Sequence, residues 1–301
     1  MTGTAPTSAV LVVSSQVARG AIGARGAVFA LERLGLATWL VPTVWMPWHP
    51  GHGRSTRIAP DGEAFATALA EIGESERAGE IGTIVTGYFA DPAQIEAVAR
   101  LVERLRLITP GLRLVVDPVI GDGHALYVAP AVAEGLRDRL LPLADVATPN
   151  AFEAGWLSGL PVGSTGEAIA AARALAPPTV IVTSAPAMMT RSIATLLVTA
   201  DAASQIEHPK IDEAAHGTGD LLTALLAGRR ALGQPLEAAV TRAVTSVFEM
   251  VARSARAGSD ELVLAEEQDV LLHPMAQVSV RRIGEARAVG RRPVVRPAAL
   301  E

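Results

Sequence analysis

The chain contains no cysteine in 301 residues. Disulfides, thiol nucleophiles and cysteine-ligated zinc are therefore excluded, and a reducing, cytoplasmic setting is compatible with the composition. Aromatic residues amount to 4%, so Ala, Leu and Val carry most of the 50% that is hydrophobic. No apolar run approaches the ~20 residues of a membrane-spanning helix. The first residues lack a basic segment ahead of a long apolar stretch, so neither a signal peptide nor a membrane partner is expected. A cationic excess is also missing: the net charge of -5 gives no reason to expect nucleic acid as a partner. Gly20, Gly23 and Gly26 do not have the G-x-G-x-x-G spacing of a dinucleotide fold, and no Walker A loop occurs, which argues against a dehydrogenase and a P-loop kinase.

The patterning that is present alternates strands with helices. Short apolar runs predict strands at 9–13, 38–41, 83–86, 112–117, 144–147, 179–183 and 193–198. Helical spacing covers 20–34, 63–72, 92–107, 130–140, 150–157, 166–175, 219–232 and 236–255, and Trp45 to Arg57 is a loop rich in Pro, Gly, His and Trp. This order predicts an α/β fold with a central, mostly parallel sheet and helices on both faces. One domain is expected over residues 1–280, followed by a basic, poorly ordered tail over 281–301 with Arg281, Arg282, Arg287, Arg291, Arg292 and Arg296.

The chemistry concentrates at four places. Gly217-Thr218-Gly219-Asp220 opens an apolar helix. A helix start presents free N–H groups and the positive end of a dipole to an anion. The carboxylate of Asp220 at such a site is explained by a proton that must be accepted beside a phosphate. Asp117 ends a strand and leads into Pro118-Val119-Ile120-Gly121-Asp122-Gly123. Asn150 and Glu153 have the spacing of a capping box, a reading that is compatible with Glu153 and Asp117 holding Mg²⁺, partly through water. Thr183 and Ser184 end a further strand. In an open parallel sheet such strand ends share one ligand-binding edge. His49 and His52, three apart in a loop, have a weak metal-like spacing with no third ligand nearby in sequence.

Together these residues resemble the pyridoxal kinases of the ribokinase-like superfamily, from about residue 9 to 272. Ser14-Ser15-Gln16-Val17 with Arg19-Gly20, Gly23 and Ala27-Val28-Phe29 is similar to the first strand and helix of that family. Asp117 to Gly123 with Tyr127-Val128, and Thr148-Pro149-Asn150 with Glu153, resemble its metal-side segments. Gly217 to Asp220 resembles its anion hole and base. The resemblance implies a three-layer ribokinase-like fold and an ATP-dependent kinase for the hydroxymethyl group of pyridoxal. Asp220 would be the base, with Gly217, Thr218 and Gly219 as the anion hole. Asp117, Asn150 and Glu153 would organise Mg²⁺, and Thr148 would help place a monovalent cation such as K⁺. Thr183 and Ser184 would contact ATP phosphates under a flap bearing Tyr127, and Ser15, Val44, His49 and Tyr88 would line the substrate pocket. A homodimer is implied as well.

The chain departs from that pattern at Gln16, where the family often has His, at Ala24, where it often has Asn, and above all in one segment. Where the family has Gln-Phe-Ser-Asn-His-Thr-Gly-Tyr, this chain has Trp45-Met46-Pro47-Trp48-His49-Pro50-Gly51-His52. The threonine that addresses the pyridine ring falls on Pro50, which has neither hydroxyl nor N–H. The departure keeps two alternatives open: another hydroxymethyl heterocycle, such as hydroxymethylpyrimidine, and a homologue that binds vitamer or nucleotide without turnover.

Overall fold

The computed structural model describes residues 8–123, 125–212 and 215–284. Its main sheet is built on β1 (Ala9–Val17), β2 (Thr38–Met46), β3 (Ile81–Thr86), β4 (Arg113–Val116), β7 (Val146–Ala147), β8 (Thr179–Ala185), β9 (Ser192–Thr199), β10 (Ala203–Pro209) and β11 (Ser279–Ile283), in the order β11-β10-β9-β8-β7-β4-β3-β1-β2. The pairings from β2 through β8 are parallel and those from β8 through β11 antiparallel. A small hairpin, β5 (Gly121–Asp122) with β6 (Ala125–Leu126), stands apart from it.

Alternation along each strand divides the apolar residues between two cores. In β1, Leu11 and Val13 face one core while Val10 and Val12 face the other. The first core is covered by α2 (Gly62–Glu74), α3 (Pro92–Ile108), α4 (Pro130–Gly135), α5 (Ala151–Ser158) and α6 (Thr165–Ala174); the second is covered by α1 (Ala24–Arg33), α7 (Thr218–Ala231) and α8 (Leu236–Arg256). These three layers are the expected fold.

Three differences from the sequence reading have clear causes. The first helix begins at Ala24 instead of Gly20, because Gly20 and Gly23 take φ of 109° and 60°. Strand β10 carries Ser204, Gln205 and Glu207 at buried positions, which hides its periodicity; Glu207 accepts hydrogen bonds from Met188 N, Met189 N and Gln205 Nε2. The basic tail predicted from Arg281 begins later, since Arg281 and Arg282 belong to β11 and pair with Gln205 and Ser204. The rest of that tail, 285–301, and the first residues, 1–7, lie outside the described residues.

Buried Arg229 on α7 donates to Leu271 O at 2.6 Å and to Ser246 Oγ at 3.3 Å. Among the described residues it pairs with no carboxylate, and burial lowers its guanidinium to about 10. It ties the turn after α8 to the helix that carries the site.

Candidate active site

The carboxyl ends of β1, β3, β4, β7 and β8 open into one cavity of about 910 Å³. Ser15, Tyr88, Asp117, Thr148, Thr183 and Ser184 reach it from those strand ends, and the start of α7 closes it with Gly217, Thr218, Gly219 and Asp220. His49, Tyr127, Asn150 and Glu153 complete the predicted set along its walls. Val44 is the exception: it is fully buried in a small cluster with Val17, Ile22 and Met46, and Met46 lines the cavity in its stead. Val44 and Met46 are two apart on β2 and share one face and one apolar cluster, and it is the residue at the strand's end that reaches the cavity.

The strands bend to open this edge. Strand β1 shifts register against β2 between Ser14 and Gln16. Strand β8 shifts between Val182 and Ala185, and Ser184 takes a left-handed φ of 51° there. Left-handed backbone in a residue with a side chain costs on the order of 1–3 kcal/mol and clusters at functional sites.

Asp220 lies in the first turn of α7. Its Oδ2 accepts Gly23 N at 2.9 Å, and burial raises its carboxyl to about 6. A Cβ on Gly87 would meet Ser14 Oγ at 2.3 Å, so the bare backbone there lets β1 pass close by, with Asp220 Oδ1 in ordinary contact distance at 3.5 Å. Gly217, at φ 87°, packs against Ala21 O and Ile22 so closely that a Cβ would meet them at 2.8 Å. Gly23 and Gly217, the N-caps of α1 and α7, thus bring the two helix starts together around one carboxylate.

Asp117 is buried, and desolvation together with Glu153 and Asp220 holds its carboxyl well above the usual range. Its Oδ2 accepts Thr223 Oγ1 at 3.2 Å, and the Thr223 and Thr148 hydroxyls meet at 2.7 Å. As Thr223 spends its one proton on Asp117, Thr148 is the donor to Thr223. Thr223 escaped the sequence reading because it lies inside the apolar run of α7.

Glu153 does what its spacing foretold. Asn150 Oδ1 accepts Glu153 N at 2.9 Å and Glu153 Oε2 accepts Asn150 N at 2.8 Å, a complete capping box. Its Oε1 also accepts Ile120 N at 2.9 Å and Gly121 N at 3.4 Å, fixing the segment after Asp117. Burial outweighs these donors and raises the carboxyl to about 7. Glu153→Gln turns an amide NH₂ toward a backbone N–H and is expected to cost about 1–3 kcal/mol in denaturant unfolding.

Two further cavity residues were missed. Lys210, the only lysine in the chain, lies just beyond β10 and lines the cavity with His208, whose ring stacks on Phe248 at 4.4 Å. Its signal was available in composition: every other cation is arginine. His216 precedes Gly217, and its ring lies 4.5 Å from that of His49 and 5.8 Å from that of His52. The third imidazole that the His49/His52 spacing lacked is therefore present, yet no group of three such residues is arranged to hold a metal among the described residues.

A mostly parallel sheet in three layers, with a glycine-rich helix start and a carboxylate at its ligand-binding edge, defines a phosphotransferase of the ribokinase-like class with an alcohol acceptor. The sequence profile described as phosphomethylpyrimidine kinase matches residues 74–264. A pyridoxine/pyridoxal/pyridoxamine kinase of Bordetella bronchiseptica is 38% identical over 266 residues, covering 85% of this chain and 93% of that one. A pyridoxal kinase of Rubrobacter xylanophilus is 34% identical over 281 residues, covering 91% and 97%. The pyridoxal kinase of Leishmania donovani solved in complex with ADP superposes with a TM-score of 0.86 at 28% identity, covering 91% of this chain and 99% of that one. The chain belongs to the pyridoxal kinase family.

Proposed function

We propose that the chain transfers the γ-phosphoryl group of ATP to the hydroxymethyl group of pyridoxal, giving pyridoxal 5'-phosphate. The observation that carries this reading is the placement of Asp220. Its carboxylate is anchored through Oδ2 by Gly23 N, leaves Oδ1 without a hydrogen-bond partner among the described residues, and sits in the first turn of a helix whose start lines the cavity.

In this reading Asp220 receives the hydroxyl proton while the substrate oxygen bonds to phosphorus and the bond to ADP breaks. The proton moves late. An alcohol with a pKa on the order of 15 lies about 9 units above Asp220, a gap of roughly 12 kcal/mol. A loose transition state needs little prior deprotonation, so positioning and charge stabilisation dominate. The N–H groups at Gly217, Thr218 and Gly219 stabilise the transferred phosphoryl group. Thr183, Ser184 and Lys210 hold the ATP phosphates, and Tyr127 covers them. Ser15, Tyr88, His49 and Met46 border the acceptor.

The carboxylates fit a hard divalent cation. Asp117 Oδ1 has no hydrogen-bond partner among the described residues, and Asp117 is crowded by Glu153 and Asp220. Magnesium binds few carboxylates and keeps several waters. Asp117 would hold it, with Glu153 and Asn150 fixing the segment around it; when bound it neutralises charge on the ATP phosphates. The oxygen lone pairs of Thr148 remain free for a monovalent cation. A homodimer in the cytoplasm is part of the same proposal. No helix among the described residues is long and apolar enough to cross a membrane.

The test is phosphorylation by Mg-ATP of pyridoxal, pyridoxine, pyridoxamine and hydroxymethylpyrimidine. Turnover of pyridoxal is the expected result, and turnover of none of the four overturns the reading. Preference for hydroxymethylpyrimidine would select the second reading, which Pro50 and the match to phosphomethylpyrimidine kinases support.

A further inference from the structure

The cavity has two sides. Thr183, Ser184, His208, Lys210 and Phe248 line the side toward β8–β10; Ser15, Ile22, Met46, His49 and Tyr88 line the side toward β1 and β2. His216 belongs to the second side. It precedes Gly217, which packs on Ala21 and Ile22, and its ring rests against His49. Gly51 runs between the two imidazoles: a Cβ on it would stand 2.8 Å from His216 Nε2 and 2.9 Å from His49 Nδ1. The backbone has thus been kept bare where the rings meet.

Polar neighbours distinguish the three histidines. His52 faces two carboxylates, with Nδ1 3.2 Å from Asp260 and Nε2 3.0 Å from Glu261. His49 Nδ1 accepts Gly51 N at 3.1 Å, so the neutral ring carries its proton on Nε2 and offers a donor. Burial and the neighbouring His216 and His52 favour that neutral form. Neither ring nitrogen of His216 has a hydrogen-bond partner among the described residues, although the ring lines the cavity. A residue there to hold the loop alone would be expected to bond to it.

We propose that His216 is a specificity residue of the acceptor pocket. Its imidazole, set against that of His49, hydrogen-bonds the polar edge of the nitrogen heterocycle and takes over the ring recognition that Pro50 cannot supply. The inference rests on the kinase reading above and adds the residue that reads the acceptor. A neutral imidazole both donates and accepts, and beside the His49 donor it matches a ring nitrogen or ring hydroxyl. A site built around such a bond rejects rings that lack the polar group, because its own polar atoms are then left unpaired.

The test uses the full chain with His216→Ala and His216→Asn. The ring is exposed, so both variants are expected to unfold at the wild-type temperature. His216→Ala should lower kcat/KM for the heterocyclic acceptor about 10- to 100-fold with the KM for ATP unchanged within twofold. His216→Asn, which keeps a donor and an acceptor, should recover most of that loss. A change below threefold, a parallel rise in the KM for ATP, or equal losses in both variants would overturn the proposal. Equilibrium binding of pyridoxal, followed by its absorbance, separates this result from the kinase reading. If wild type binds pyridoxal without turning it over, the kinase reading fails, and weaker binding by His216→Ala still upholds His216. Equal binding by wild type and variant, or none by either, overturns it.

Discussion

Asp220→Asn lowers kcat by about 10²- to 10⁴-fold while the KM values for ATP and acceptor stay within threefold. The amide is nearly isosteric, and its carbonyl oxygen still accepts Gly23 N, so the junction of α1 and α7 is retained. What is lost is a group able to take the hydroxyl proton. The same residue sets the acid limb of the pH profile. Burial raises its carboxyl to about 6, and only the ionised form accepts a proton. Acceptor kcat/KM is therefore expected to be full well above pH 6 and to fall as pH drops through it. In the residual activity of Asp220→Asn that limb should be absent. A wild-type profile flat from pH 5 to 8, or a variant retaining a third of the activity, would remove Asp220 from the proton-accepting role.

The second large effect separates two glycines two residues apart. Gly217→Ala places a Cβ 2.8 Å from Ala21 O and Ile22 Cγ1 on a backbone at φ 87°. The left-handed conformation costs on the order of 1–2 kcal/mol for a residue with a side chain, and a backbone oxygen cannot move aside. The variant is expected to melt several degrees lower and to lose activity at least 100-fold, because the start of α7 shifts with Asp220 on it. Gly219→Ala differs in kind. Its Cβ would meet nothing nearer than Asp117 Oδ2, at 3.6 Å. It should keep the wild-type melting temperature yet lose about 10²- to 10³-fold in kcat/KM for ATP, as the methyl group occupies space the phosphoryl group needs. Equal melting temperatures for the two variants, measured by calorimetry, would contradict the packing account.

Much of the site was legible because its residues sit at strand ends and helix starts. Asp117, Thr148, Thr183 and Asp220 are marked by where apolar runs stop, and the capping box of Asn150 and Glu153 is written in their spacing. What sequence spacing could not carry was contact between distant segments. His216 reads as a loop residue until the fold lays it on His49, and Thr223 reads as core until it meets Asp117. The parallel strands were visible as β-branched runs. Strand β10 was not, because its buried Glu207 is satisfied by Gln205 Nε2 and by loop N–H groups that no local pattern announces. Strand β11 was obscured by its charge, since two adjacent arginines read as a solvated tail.

Those two arginines also bear on how the folded chain keeps to itself. Strand β11 ends the sheet and is exposed along nearly its whole length, so one row of backbone donors and acceptors faces solvent. Such a rim is a template on which a stray strand, from a nascent or partly unfolded copy, can add and propagate. Arg281 and Arg282 put a positive charge on each face of the rim, the second tethered to Glu237 of α8 at 3.3 Å. A like strand arriving there would meet like charge on both sides and would have to bury it. The basic stretch therefore works against edge-to-edge pairing, one strand away from a cavity whose lining reaches β10 and includes no residue of β11.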